Sequence, residues 1–170
     1  MHKSPATLLC MLLFIPAYAS DVIHTHVPDA QLVGSGKLNV MIWDVYDATL
    51  YAPDGHWSPS QPFALRLEYR REIKGDDIAN RSVEEIRKLG YTDEVKLAAW
   101  HSQMRSIFPD VEDGTKLIGV YTPKQSTVFY HGTQHIGSIV DPDFGKWFFD
   151  IWLSENTPEP ELRAALLGKQ

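Results

Sequence analysis

Between Phe63 and Gly75 the chain reads F-A-L-R-L-E-Y-R-R-E-I-K-G, and Phe63, Leu65, Leu67, Tyr69, Arg71 and Ile73 alternate along it. In a strand these six residues share one face. Five are apolar or aromatic, so that face has to be covered. The cover is written further on: Phe144, Trp147, Phe148, Ile151 and Trp152 recur at i, i+3, i+4, i+7 and i+8, the widest helical apolar stripe in the chain. Laying helices on a sheet is the simplest way to bury both kinds of stripe. Arg71 stands apart, because a cation in a core-facing register is costly unless it is paired, snorkels to water or meets an anionic ligand.

The other segments fit the same scheme. Leu38, Val40 and Ile42 alternate after Gly34-Ser35-Gly36, and the pattern resumes at Tyr46, Ala48 and Leu50, which predicts two strands joined by a tight turn at Trp43-Asp44. Pro53-Asp54-Gly55 to Pro62 reads as a loop. A helix follows, capped by Asp76 or Asp77, with Ile78, Ser82, Ile86 and Leu89 at helical spacing before Gly90. Thr92 caps a second, whose stripe is Leu97, Trp100, Met104, Ile107 and Phe108 before Pro109.

Three short strands are predicted at Lys116 to Thr122, Thr127 to His131 and Gln134 to Val140. The Phe144 helix takes its cap from Asp141-Pro142-Asp143, and a last helix starts at Pro158 or Pro160. Ser20 to Asp29 is a polar lead that adds an edge strand in this reading. The layout is α+β, an antiparallel sheet with helices on one face.

His2 and Lys3 precede an apolar run, Leu8 to Ile15, that ends at Ala17-Tyr18-Ala19. This is the pattern of a secretory signal peptide over residues 1–19, cut between Ala19 and Ser20, and it predicts a periplasmic or secreted protein. Residues 20–170 then form one domain. Cys10 is the only cysteine, so the mature chain folds without disulfides and excludes a thiol nucleophile. Leu9 before Cys10 argues against a lipid anchor.

Hydrophobic residues make up 44% of the chain and aromatic ones 11%, enough for a core to carry stability alone. The net charge of −6, without a basic stripe, argues against nucleic acid. Neither a phosphate-binding glycine loop, a dinucleotide fingerprint nor a G-x-S-x-G elbow occurs, and no cofactor is expected. His24, His26, His131 and His135 are too sparse for a structural zinc site and read as surface residues, so no metal is expected.

The blocks V-Y-D-A-T-L-Y-A (45–52), Y-R-R-E-I-K-G (69–75), F-P-D-V-E-D-G-T-K-L (108–117) and D-P-D-F-G-K-W-F-F-D-I-W-L, followed by L-R-A-A-L-L-G, resemble the exported bacterial branch of the chalcone isomerase-like family. The resemblance runs from about Gln31 to Gly168. It implies an open-faced β-sandwich, with a long antiparallel sheet covered by helices and a ligand cleft between. Relatives of this fold include flavonoid isomerases, fatty-acid-binding proteins and non-catalytic accessory proteins.

The plant isomerases hold their anion with an arginine after a glycine-rich strand start, where this chain has Lys37, which lacks the planar fork. Their threonine falls near Asp47 and their helical tyrosine near Ile78, and neither residue type is kept. The resemblance therefore implies binding rather than turnover, with Arg71 matching an arginine of the family's F-R-D-I type run. The ligand-binding residues expected are Lys37 and Arg71, holding a carboxylate or phenolate, and Tyr46, Tyr69 and Trp100, lining an apolar body. Arg71 has an alternative use as a structural arginine paired with Asp76 or a helix end. Two further functions stay open: an isomerase or lyase acting on an enone, and a structural or partner-binding module of the envelope. The oligomeric state is not legible.

Overall fold

The computed structural model describes residues 22–123 and 125–169. The expected signal peptide and its cleavage site lie outside the described residues. Helix α1 (Val22–His26) leads into strands β1 (Ala30–Val40), β2 (Trp43–Pro53) and β3 (Phe63–Tyr69), helices α2 (Gly75–Lys88) and α3 (Glu94–Ile107), strands β4 (Lys116–Tyr121), β5 (Thr127–His131) and β6 (Gln134–Ile139), and helices α4 (Pro142–Leu153) and α5 (Pro160–Leu166). The six strands form one antiparallel sheet in chain order, β1 to β6. This is the α+β architecture expected.

Helices α2 to α5 pack on one face of the sheet, and the main core lies between. Its densest part is a run of rings: Phe144 meets Trp100, Phe129 and Phe148 at centroid distances of 5.5, 6.3 and 5.2 Å. Phe63 and Phe149 continue it at 4.9 Å. Edge-on and offset contacts of this kind suit the ring quadrupoles. A smaller cluster, with Ile23, Val27, Ile118 and Val120, sits on the opposite face.

Glycine permits close backbone approach at Gly34 and Gly75. A side chain at Gly34 would run into the backbone carbonyl of Ala165, so α5 can lie on β1 only where that strand has no Cβ. At Gly75 the obstacle would be the carbonyl of Phe108.

Four local expectations are corrected. The lead segment forms the short helix α1 rather than an edge strand, because Ile23 and Val27, four apart, turn together into the rear cluster. Neither Asp76 nor Asp77 caps α2: the cap residue is Lys74, without a side-chain bond, and Asp110 from a distant loop accepts the Gly75 N–H at 2.9 Å. Asp93, not Thr92, caps α3, accepting from the N–H groups of Val95 and Lys96. The β1–β2 turn lies at Met41-Ile42, two residues before the predicted place, since Val40 pairs with Trp43.

Strand β3 also ends earlier than its alternation predicts. Pairing with β2 stops at Tyr46 and Tyr69, and pairing with β4 at Lys116 and Glu68. Beyond Tyr69 the chain turns away to make one bridge, between Ile73 and Val111. Arg71 is therefore exposed and outside the apolar register that the alternation predicted.

Candidate ligand-binding cavity

At the Tyr69 end of β3 the helices stand off from the sheet and leave a cavity of about 390 Å³. Its floor is the sheet, through Leu38, Leu65, Leu67 and Leu117, and its roof is α2 and α4, through Ile78, Phe148 and Trp152. Small-molecule sites commonly occupy about 300–1,000 Å³ and are mostly apolar with a few placed polar groups. Here the polar groups are two tyrosines from the sheet and a row from α2.

The tyrosines are cross-strand partners. Tyr46 and Tyr69 meet edge to face at 5.7 Å, and Tyr46 Oη accepts a hydrogen bond from Trp152 Nε1 at 2.9 Å. Burial drives the Tyr46 hydroxyl far above the usual phenol range, only partly offset by the Trp152 donor. Burial does the same to Tyr69, with Tyr46 beside it adding to the effect. Both phenols remain neutral at physiological pH, as hydrogen-bonding groups rather than bases.

From α2 come Asp77, Arg81 and Glu85, at i, i+4 and i+8, with Ser82 alongside. Glu85 is only 4% exposed. Its Oε1 takes the guanidinium of Arg81 at 2.8 Å and the ammonium of Lys88 at 3.0 Å, while Oε2 is buried without a hydrogen-bond partner. Two cations offset the cost of burying this carboxylate, and one oxygen still has unused accepting capacity. Arg81, with its side chain 64% exposed, reaches from solvent to the cavity. Asp77 and Glu159 are further exposed lining residues at the mouth.

Of the five residues expected to bind ligand, Tyr46 and Tyr69 line this cavity and three lie elsewhere. Lys37 pairs across the strands with Asp47, Nζ to Oδ1 at 3.8 Å, in the register opposite to Tyr46 and Ala48 and so on the other face of the sheet. Arg71 lies over the ring of Trp43, its guanidinium carbon 5.5 Å from the centroid. It pairs with no carboxylate among the described residues, so neither a shared anion site with Lys37 nor an ion pair with Asp76 is formed; Asp76 belongs to Arg105 at 2.8 Å. Trp100 is a core residue that donates from Nε1 to Asp141 Oδ2 at 3.0 Å and stacks on Tyr91.

Sequence reasoning missed Arg81 and Glu85. Their spacing on α2, directly beside the inward-facing positions Ile78 and Ser82, was the available signal. No group of three or more potential metal ligands gathers among the described residues. His26 Nε2 is 2.6 Å from the Tyr130 hydroxyl.

The family model for chalcone isomerase-like proteins matches residues 19–168. No curated protein sequence matches the chain. Among solved structures, a fatty-acid binding protein of Arabidopsis thaliana superposes with a TM-score of 0.62 at 15% identity, over 82% of this chain and 87% of that one. At that identity the likeness is one of fold. The family match covers most of the chain, and the chain belongs to the chalcone isomerase-like family.

Proposed function

We propose that the chain is an exported, non-catalytic binding protein for a small, largely apolar molecule of fatty-acid type. The observation that carries this reading is the cavity: an apolar chamber between sheet and helices, with two tyrosines on the sheet and a row of polar side chains along α2. A chain of methylene groups would lie against Leu38, Leu65, Leu67 and Leu117, each buried CH₂ contributing about 0.8 kcal/mol. The head group would lie toward Arg81. A guanidinium offers five N–H donors; Arg81 meets Glu85 through one terminal nitrogen at 2.8 Å and Glu84 more loosely through the other at 3.6 Å, which leaves donors for a ligand carboxylate.

The fold shared with a plant fatty-acid binding protein supports binding as the general activity. Export rests on the run Leu8 to Ile15 and the Ala17-Tyr18-Ala19 cleavage pattern. Neutral tyrosines and an arginine committed to a buried carboxylate suit holding a ligand better than drawing a proton from one.

Displacement of a fluorescent fatty acid by unlabelled fatty acids of increasing chain length tests the reading. One molecule bound per chain is expected, with affinity rising with length and then falling once the chamber is full. Arg81→Ala should weaken binding of the acid several-fold more than of its methyl ester. Failure of every fatty acid and ester to bind would remove the proposal.

A further inference from the structure

The β1–β2 hairpin ends in a feature that ligand binding inside the cavity does not use. Val40, Met41, Ile42 and Trp43 are consecutive, and they are 51, 92, 87 and 58% exposed. Two-residue hairpin turns favour Asn, Gly and Asp, because those residues tolerate positive φ and water. Here Met41 holds a φ of 57° with Ile42 beside it, so this turn sets apolar side chains at the outermost point of the hairpin against ordinary turn chemistry. Four adjoining exposed apolar residues form a patch of the kind that marks an interaction surface.

The surroundings identify what the patch would meet. Arg71 stacks on Trp43 and pairs with no carboxylate among the described residues. Lys37, on the same hairpin, has its side chain 63% exposed. The nearby acids Asp47 and Glu68 are engaged by Arg70, Asp47 at 2.9 Å from Nε and Glu68 at 3.2 Å from Nη1. The exposed acids that remain are Asp44 in the turn, Glu72 next to Arg71 in the chain and Asp113, 4.0 Å from Arg70. An apolar tip, a tryptophan at its base and a cation on that tryptophan correspond in order to the acyl region, the interface and the phosphates of a lipid bilayer. A convex tip of four residues also suits a deformable surface better than a rigid protein, which would need a matching groove. Among the described residues no helix is long and apolar enough to cross a membrane.

We propose that the β1–β2 hairpin docks the protein on a lipid bilayer containing anionic lipid, with Met41 and Ile42 inserted among the acyl chains and Arg71 at the phosphates. Val40 belongs both to the tip and to the cavity lining, and Leu38 and Val45 continue that lining on the same hairpin. Docking therefore puts the rim of the chamber at the lipid surface, where an apolar ligand can pass without crossing water. This role in transfer rests on the function proposed above; the docking itself does not.

The test is flotation of the mature chain, residues 20–170, with vesicles of phosphatidylethanolamine and phosphatidylglycerol, beside Met41→Asp/Ile42→Asp and Arg71→Ala. The wild type is expected to float, the double variant to lose at least tenfold in apparent affinity and Arg71→Ala to lose less. Both tip residues face solvent, so the variants should keep the wild-type melting temperature and bind fluorescent fatty acid in vesicle-free buffer. A wild type that stays below the vesicles, or a double variant that floats equally well, overturns docking. So does a tip-dependent dimer in sedimentation that leaves nothing bound to vesicles. Flotation without fatty-acid binding would retain docking and remove the carrier reading.

Discussion

The helix-covered face of the sheet is built in two ways. Around Phe144 and Phe148 the space is filled with rings, each touching several others at centroid distances of about 5 to 6 Å. Around Tyr46 and Tyr69 the same sheet and neighbouring helices leave about 390 Å³ empty. Interiors are ordinarily close-packed, so an apolar void of this size forgoes dispersion contacts that the ring cluster keeps. The two regions share walls, since Phe148 and Phe149 belong to both. The filled region holds α4 and α3 on the sheet firmly enough for the other end of the sheet to stay open.

The largest expected effect tests the filled region. Phe144 is fully buried and touches three rings, so Phe144→Ala should destabilise by about 3–5 kcal/mol in denaturant unfolding. A loss below about 1 kcal/mol would mean that the ring cluster is not what holds the helices. Tyr46→Phe addresses the wall between the regions. It removes the acceptor for Trp152 Nε1 and should cost about 1–2 kcal/mol, the price of an unmet buried donor.

A third effect follows pH. Burial pushes the carboxyl of Asp141 up, but the Asp143 N–H, the Trp100 Nε1 donor and the nearby Lys96 ammonium together outweigh it and hold the group below its ordinary value. The folded state thus favours the carboxylate. Its contribution is present above the unfolded pKa of about 4 and disappears as pH falls through the lower folded value. Asp141→Asn should be less stable than wild type at neutral pH, with the gap closing in acid. A gap that persisted unchanged to low pH would show that charge is not what Asp141 adds.

The filled region was legible in the sequence, and of the open one only Tyr46 and Tyr69 were. Rings at helical spacing in α4 and alternating residues in β3 announce core because burial depends on pattern, and both stripes are where they were expected. A void has no such pattern. It depends on how far α2 stands from the sheet, and the start of that helix is tied by Asp110 from a remote loop rather than by a neighbouring residue.

Arg71 shows the same limit. Its alternation was real, but β3 ends at Tyr69 because both neighbouring strands stop pairing there, which a single strand's sequence does not reveal. The misfit cation marked something all the same, since it lies on Trp43 at the hairpin tip. The turn itself was read two residues late because Asp44 is a turn former while Met41 and Ile42 are not.

The contrast between the two regions rests on the open one being a ligand site, and filling it is the most direct test. Leu67 lies on the cavity floor, so Leu67→Trp should occupy the chamber with little strain, changing stability by less than about 1 kcal/mol where a packed core would lose 1–3. Calorimetric titration with a saturated fatty acid should give one site in the wild type and at least a tenfold loss in Leu67→Trp. Equal binding by the two proteins, or a wild type that binds nothing, would contradict the account.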